Sequence, residues 1–284
     1  MNLSVNLSGY RFERHDYLVD GLSASVDATY ILHLEGNGRF TNIQKQLQYF
    51  TPTKTIYILY NSGYKSGKKR KEIDRPPADI FDAYLQIFNH SKRENHNTIL
   101  ILEDDFFFDE KIKDPYHQTN INRFLLKHAS QDFIYYLGCI PILQIPYDYN
   151  TNIAVLAGAA HSVIYSRTYR EKIINTIHTY NILDWDYLLL TSSVFNKYCY
   201  YTPLCYQLFP KTDNSKLWGN DINKTFSKIH VLIAFTFIQF LQLDVQPNPG
   251  YPFFYLFSKI LPVFIVGLLI LTIVLHRKTN INTK

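Results

Sequence analysis

The chain has 284 residues, with 29 Lys and Arg against 24 Asp and Glu and a formal net charge of +5. Hydrophobic residues at 46% and charged residues at 19% exclude a disordered chain, and the length suffices for one sizeable core. Residues 1–220 hold 23 basic and 22 acidic side chains, a net of +1, whereas residues 221–284 hold 6 and 2, a net of +4; this distribution argues against a nucleic-acid partner and assigns the excess charge to the tail.

Residues 1–27 mix polar, charged and aromatic side chains, lack the apolar run of a secretory signal and read as an N-terminal extension. From residue 28 to 220, short apolar runs alternate with helical patterns. Thr29–Leu34, Thr55–Tyr60, Thr98–Leu102, Phe133–Ile140 and Val163–Tyr165 are predicted strands. Phe40, Ile43, Leu47 and Phe50 share one helical face, as do Ile80, Tyr84, Ile87 and Phe88, and later Tyr169, Ile173 and Ile177. The alternation predicts an α/β domain with a mostly parallel sheet flanked by helices, whose ligands gather at the carboxyl ends of the strands. Cys139, Cys199 and Cys205 lack the paired spacing of a zinc site or a disulfide framework, which fits a reducing compartment.

The tail, 221–284, is a predicted membrane anchor. Residues 252–275 carry Lys259 as their only charge and are long enough to cross a hydrocarbon core of about 30 Å. A second apolar run, 229–243, is shorter and contains His230, Gln239 and Gln242. Either one C-terminal transmembrane helix or a helical hairpin fits. Lys224, Lys228, Arg277, Lys278 and Lys284 flank the runs, and the positive-inside bias puts the domain on the cytosolic face of the membrane.

The chemistry concentrates where the apolar strand Thr98–Leu102 runs into Glu103, Asp104 and Asp105, followed by three phenylalanines. Like charges in an apolar setting raise one another's pKa, and a divalent cation, Mn²⁺ or Mg²⁺, relieves them. Glu103 and Asp105, two apart, point to one side of an extended strand and are the candidate metal ligands, with Asp104 as a donor-binding or metal-shell partner. The competing reading is a helix cap or polar turn using Asp104 or Asp105. Gly36, Asn37, Gly38 and Arg39 follow the first strand, where a small backbone approaches a nucleotide and Arg39 meets its phosphate, or where the chain merely turns. Lys68–Lys71 read as a solvated charge run, a lipid contact or a phosphate clamp.

An apolar strand ending in acidic residues at this point of a βαβ pattern resembles the D-x-D element of GT-A glycosyltransferases. Leu102, Glu103, Asp104 and Asp105 resemble the Leu-Glu-Asp-Asp strand end of glycosyltransferase family 25, the lipooligosaccharide and procollagen galactosyltransferase-like group. Ala157–Ser166 with Tyr169–Ile173, then Asp184–Leu189, then Pro203–Ser215, are similar to that family's small-residue turn, acidic helix start and closing strand. The resemblance spans residues 28–218 and departs at His33–Arg39 and at Arg75–Asp79. It implies a GT-A-like catalytic domain and a nucleotide-sugar donor, a UDP-sugar foremost. It also implies inverting transfer to a glycan, lipid or protein acceptor, with Asp184 and Asp186 as candidate catalytic bases and Gly158 and His161 as donor-binding residues. His161 also reads as a buried, hydrogen-bonded histidine, and Asp184 as the cap of the following helix.

The sequence-level expectation is thus a membrane-anchored, metal-dependent glycosyltransferase. A metal-dependent nucleotidyl or phosphoryl transferase or hydrolase, and an inactive membrane-tethered α/β binding module, stand as alternatives.

Overall fold

The computed structural model describes residues 9–18, 21–176, 184–191, 196–209, 232, 236–244 and 250–282. Strands β1 (Tyr10–Asp16), β2 (Ala28–Leu34), β3 (Thr55–Asn61) and β4 (Thr98–Glu103) alternate with helices α1 (Phe40–Tyr49) and α2 (Pro76–Arg93). After β5 (Phe106–Phe108) come α3 (Pro115–Lys127), β6 (Ile134–Pro146), β7 (Thr151–Ser166) and α4 (Arg167–Thr176). The remaining elements are α5 (Trp185–Thr191), β8 (Lys197–Tyr200), β9 (Cys205–Gln207) and α6 (Gly250–Asn282).

A seven-stranded sheet in the order β1-β3-β2-β4-β7-β6-β8 organises the domain, and β5 and β9 form a separate ribbon. Strands β3, β2 and β4 are mutually parallel, and β6 and β8 are parallel to each other. Antiparallel β7 joins the two sets, so β6 and β8 point the same way as β4. The carboxyl ends of five strands therefore lie on one edge.

The apolar strands are fully apolar because both of their faces are covered. Ile99 and Ile101 of β4 pack with Phe81, Tyr84 and Phe88 of α2, and with Tyr165 and Trp185. Leu100 and Leu102 pack on the other face with Ile43 and Leu47 of α1 and Phe124 of α3. Each such buried side chain contributes about 1.5–3 kcal/mol, which makes β4 the most firmly fixed element of the site it carries. Helix boundaries follow local chemistry. Pro76 opens α2, and the Asp114 side chain accepts the Tyr116 amide at 2.8 Å to cap α3 ahead of Pro115.

Two local outcomes differ from the sequence pattern. Tyr10–Asp16, within the segment read as an extension, pairs antiparallel with β3 at the sheet edge. Its apolar residues alternate with charges because only one face is covered. The small-residue run Ala157–Ala160 lies inside the sixteen-residue β7, not in a turn before a short strand. Irregular pairing with β6 bends the chain there, and Ala159 takes a φ of 67°. Gly138 of β6 is obligatory, since a Cβ there would stand 1.7 Å from the Cys205 carbonyl oxygen of β9.

Residues 252–275 lie within α6, and Gly250–His276 is the one helix among the described residues long and apolar enough to cross a membrane. Of the second apolar run, 236–240 are helical, and most of its first half lies outside the described residues. Ile177 also lies outside them.

Candidate active site

The site forms at the carboxyl ends of β2 and β4, where Leu32 and Glu103 are paired. Asp104 turns toward the loop after β2. Its Oδ2 lies 3.1 Å from His33 Nδ1 and accepts from the Leu34 amide at 3.0 Å and from Asn37 Nδ2 at 2.5 Å, while Oδ1 accepts from Arg39 Nη1 at 2.7 Å. Burial alone would raise this carboxyl, but the His33, Arg39, Asn37 and Leu34 donors outweigh it and hold the carboxyl below its usual range. The loop that carries these donors needs Gly36 and Gly38, with φ of 77° and 78°, in the left-handed region that other residues enter at a cost of about 1–2 kcal/mol. Asp104, expected to face the donor, has both oxygens engaged inside the protein.

Asp105 is less well served. Oδ2 accepts from Gln207 Nε2 at 3.2 Å and lies 3.6 Å from Arg39 Nη1, while Oδ1 is buried without a partner. Burial and then the charge of Asp104 push its pKa up to about 7. Glu103, half-buried, accepts from the Tyr84 hydroxyl at 2.9 Å. Burial, then Asp105, then Asp186 push it well above the usual carboxylate range. The two carboxylates two residues apart thus share an environment that opposes their ionisation.

Asp186 comes within electrostatic reach through α5. Trp185 anchors that helix: its ring stacks on Tyr84 with centroids 4.2 Å apart, and Nε1 donates to the Tyr165 hydroxyl at 3.2 Å. One residue on, the Asp186 carboxylate faces the Ala160 backbone amide, and burial, then the charge of Asp184, pushes its pKa up to about 6. Asp184 precedes the helix, and its carbonyl accepts from the Leu188 amide at 3.0 Å.

His161 sits behind this group, fully buried. Its Nε2 donates to the Cys205 carbonyl at 3.1 Å and Nδ1 has no partner, while burial lowers its pKa to about 4 and keeps the ring neutral. Gly158 lies further along β7 with open space where a side chain would stand. The β5–β9 ribbon closes the wall: Gln207 pairs with Phe106, and the Leu208 amide donates to the Asp105 carbonyl at 3.0 Å. The Lys68–Lys71 segment is partly internal. Lys69 is buried on Asp79 at 2.9 Å and lies over the Tyr10 ring, and Arg70 reaches Asp82 at 3.1 Å.

The structure therefore brings together Arg39, Glu103, Asp104, Asp105 and Asp186, and places His161 and Gly158 further back on β7. Sequence reasoning did not give Tyr84, Gln207, Trp185 or Tyr251 a place at the site. The Tyr251 hydroxyl accepts from the Gln207 amide at 3.0 Å, so α6 reaches within one residue of Asp105. Tyr84 was visible only as part of a helical face, and Tyr251 only as an interfacial ring beside an apolar run. Among the described residues, no group of three or more His, Cys, Asp or Glu side chains is arranged to hold a metal ion.

No protein-family model matches the sequence, and no curated protein is similar to it. Solved structures similar in part include the following two. A197 from STIV is 12% identical at a TM-score of 0.38, over 66% of this chain and 86% of its own. A glycosyltransferase involved in the glycosylation of the major capsid of PBCV-1 is 9% identical at a TM-score of 0.40, over 72% of this chain and 98% of its own. Likeness at that level does not identify a reaction, so the chemistry has to be read from the residues.

Proposed function

We propose that the chain is a membrane-anchored, metal-dependent glycosyltransferase that moves a sugar from a nucleotide-sugar donor, a UDP-sugar foremost, to a hydroxyl of a glycan, lipid or protein. The observation that carries this reading is the pair Glu103 and Asp105, with an unpartnered buried oxygen on Asp105 and both carboxyls pushed up in pKa. Such a pair fits Mn²⁺ or Mg²⁺, whose remaining ligands a diphosphate supplies. When bound, the cation neutralises the negative charge that develops on the leaving diphosphate.

The protein's own groups take the other roles. Asp104 fixes the Gly36–Arg39 loop beside the donor, and Arg39, only partly buried, keeps a guanidinium edge toward the phosphates. In inverting transfer the acceptor oxygen bonds to the anomeric carbon as the bond from that carbon to the diphosphate oxygen breaks. The diphosphate leaves with the electron pair and Asp186 takes the hydroxyl proton, a contribution of roughly 10²–10⁴-fold. Asp186 suits that role better than Asp184 because its carboxyl lies within electrostatic reach of Glu103 and its pKa of about 6 lets it take a proton near neutral pH. His161, neutral and bonded to β9, is a positioning residue, and Gly158 keeps the β7 wall open.

The reading is tested by UDP release from a panel of UDP-sugars with Mn²⁺, using the full chain in nanodiscs. Asp105→Asn and Asp186→Asn are each expected to lower release at least about 10²-fold, with Asp105→Asn also abolishing the Mn²⁺ dependence. Release of UMP or phosphate instead would assign the site to nucleotidyl or phosphoryl chemistry.

A further inference from the structure

The position of α6 relative to the sheet narrows the acceptor. From Tyr255 to Lys259, α6 passes along β6 to the end of β8. Cys139 Sγ lies 3.5 Å from the Tyr255 hydroxyl, and further along both elements Gln144 Nε2 donates to Ser258 Oγ at 2.7 Å. At the next residue, Lys259 Nζ donates to the Tyr201 carbonyl, just past the end of β8. Eight residues before Lys259, Tyr251 meets Gln207, the partner of Asp105, so α6 runs from the wall of the site past β6 to the end of β8 before it leaves the domain. Beyond Lys259 the helix is apolar and almost entirely exposed, with only 6% of its most apolar stretch buried.

The surface beside this exit is apolar as well. Ile142 and Ile145 flank Gln144 on β6 and are 51% and 46% exposed, and Leu156, paired with Leu143 across the hairpin, is 39% exposed. Phe237 and Phe240 are exposed at 43% and 80%, and the Phe237 ring lies 6.1 Å from Phe254 of α6. Exposed apolar residues next to the point where a bare apolar helix leaves the domain belong against lipid.

Tyr251 marks the level of the site on α6, and Lys259 is the last charge before the apolar stretch. Eight residues of helix at 1.5 Å each separate the site from the hydrocarbon by about 12 Å along the axis. The headgroup layer accounts for about 5–8 Å of that. A lipid whose headgroup is extended by a sugar bridges the difference.

Resting on the glycosyl-transfer reading, we propose that the acceptor hydroxyl belongs to a lipid with an extended polar headgroup in the leaflet α6 enters, with Ile142, Ile145, Leu156, Phe237 and Phe240 seated in the bilayer interface. Two measurements on the full chain test it. In nanodiscs containing doxyl-labelled phosphatidylcholine, bimane on Ile142→Cys or Leu156→Cys is expected to be quenched several-fold more than bimane on Lys92→Cys, at the opposite edge of the sheet. Quenching on Ile265→Cys but only background on Ile142→Cys and Leu156→Cys overturns the placement and leaves glycosyl transfer standing. No quenching on Ile265→Cys overturns the membrane span and the proposal with it. In membranes of the producing cells supplied with radiolabelled UDP-sugars, label is expected in the chloroform–methanol extract, at least five-fold less for the Ile142→Asp, Leu156→Asp double variant. Label confined to protein or to water-soluble glycan, or UDP release without incorporation, overturns the lipid acceptor alone; no UDP release from any donor overturns transfer as well.

Discussion

The three acidic residues at the end of β4 are chemically unequal, and the difference is set by what each oxygen meets. Asp104 has four donors and stays ionised, whereas Asp105 has one buried oxygen with none and is pushed up to about 7. A carboxyl that gains protons on folding stabilises the fold at low pH and loses that contribution as pH rises from its unfolded value near 4 toward 7. His161 acts in the opposite sense. Its pKa is lowered to about 4, so its contribution is present above the unfolded value near 6.5 and is lost as pH falls toward 4. Other shifted groups act in the same window, Glu103 and Asp186 in the sense of Asp105 and His90 in the sense of His161. The wild-type profile alone is therefore uninformative, and a difference measurement is needed. Thermal unfolding of Asp105→Asn against wild type is expected to show the variant gaining relative stability as pH rises from 4 to 7, by an amount on the order of 2–4 kcal/mol. Mn²⁺ at pH 7.5 is expected to raise the wild-type Tm and leave that of the variant unchanged. A pH-independent difference would mean that Asp105 is ordinary in its titration.

At the scale of elements, the site depends on α5, a seven-residue helix too short to be stable by itself. Its hold on the domain is Trp185, buried against Phe81, Tyr84 and Phe88 of α2 and bonded to Tyr165 of β7. Trp185→Ala is expected to cost about 3–5 kcal/mol and to reduce turnover beyond what the lost stability explains, because Asp186 loses its position; Trp185→Phe should recover most of both. Unfolding in urea and UDP release measured on the same preparations separate the two effects. The legibility of the sequence divides along the same lines. β4 could be read directly, since a strand apolar at every position requires cover on both faces. β1 could not, because Arg11, Glu13 and Arg14 interrupt its apolar residues, and Ala157–Ala160 has the composition of a turn while forming a bent strand. The site was half legible. An acidic run announces itself, but which carboxylate is spent inside the fold depends on His33, Asn37 and Arg39, whose contacts with Asp104 span 65 to 71 residues of chain.

For the whole molecule, the question is whether α6 is a detachable tether or part of the domain. Tyr251 and Tyr255 are buried, and through Gln207 the first of them supports the wall that holds Asp105. Ser258 and Lys259 add hydrogen bonds to β6 and to the end of β8. The apolar stretch from Val263 to His276 is bare. These two halves predict different consequences for two truncations. Ending the chain at residue 249 removes both buried tyrosines, each contributing about 1.5–3 kcal/mol. For a domain of this size, at roughly 2–4 °C per kcal/mol, Tm is expected to fall by at least about 6 °C. Ending it at residue 259 keeps every docked side chain, so Tm and UDP release from a soluble donor should match those of the full chain in detergent, while transfer to membrane acceptors falls. Scanning fluorimetry of the three forms decides the matter. Equal stability of the two truncations would make α6 an appendage and remove its structural link to Asp105, whereas a loss confined to the shorter form means that the first three turns of α6 are part of the wall of the site.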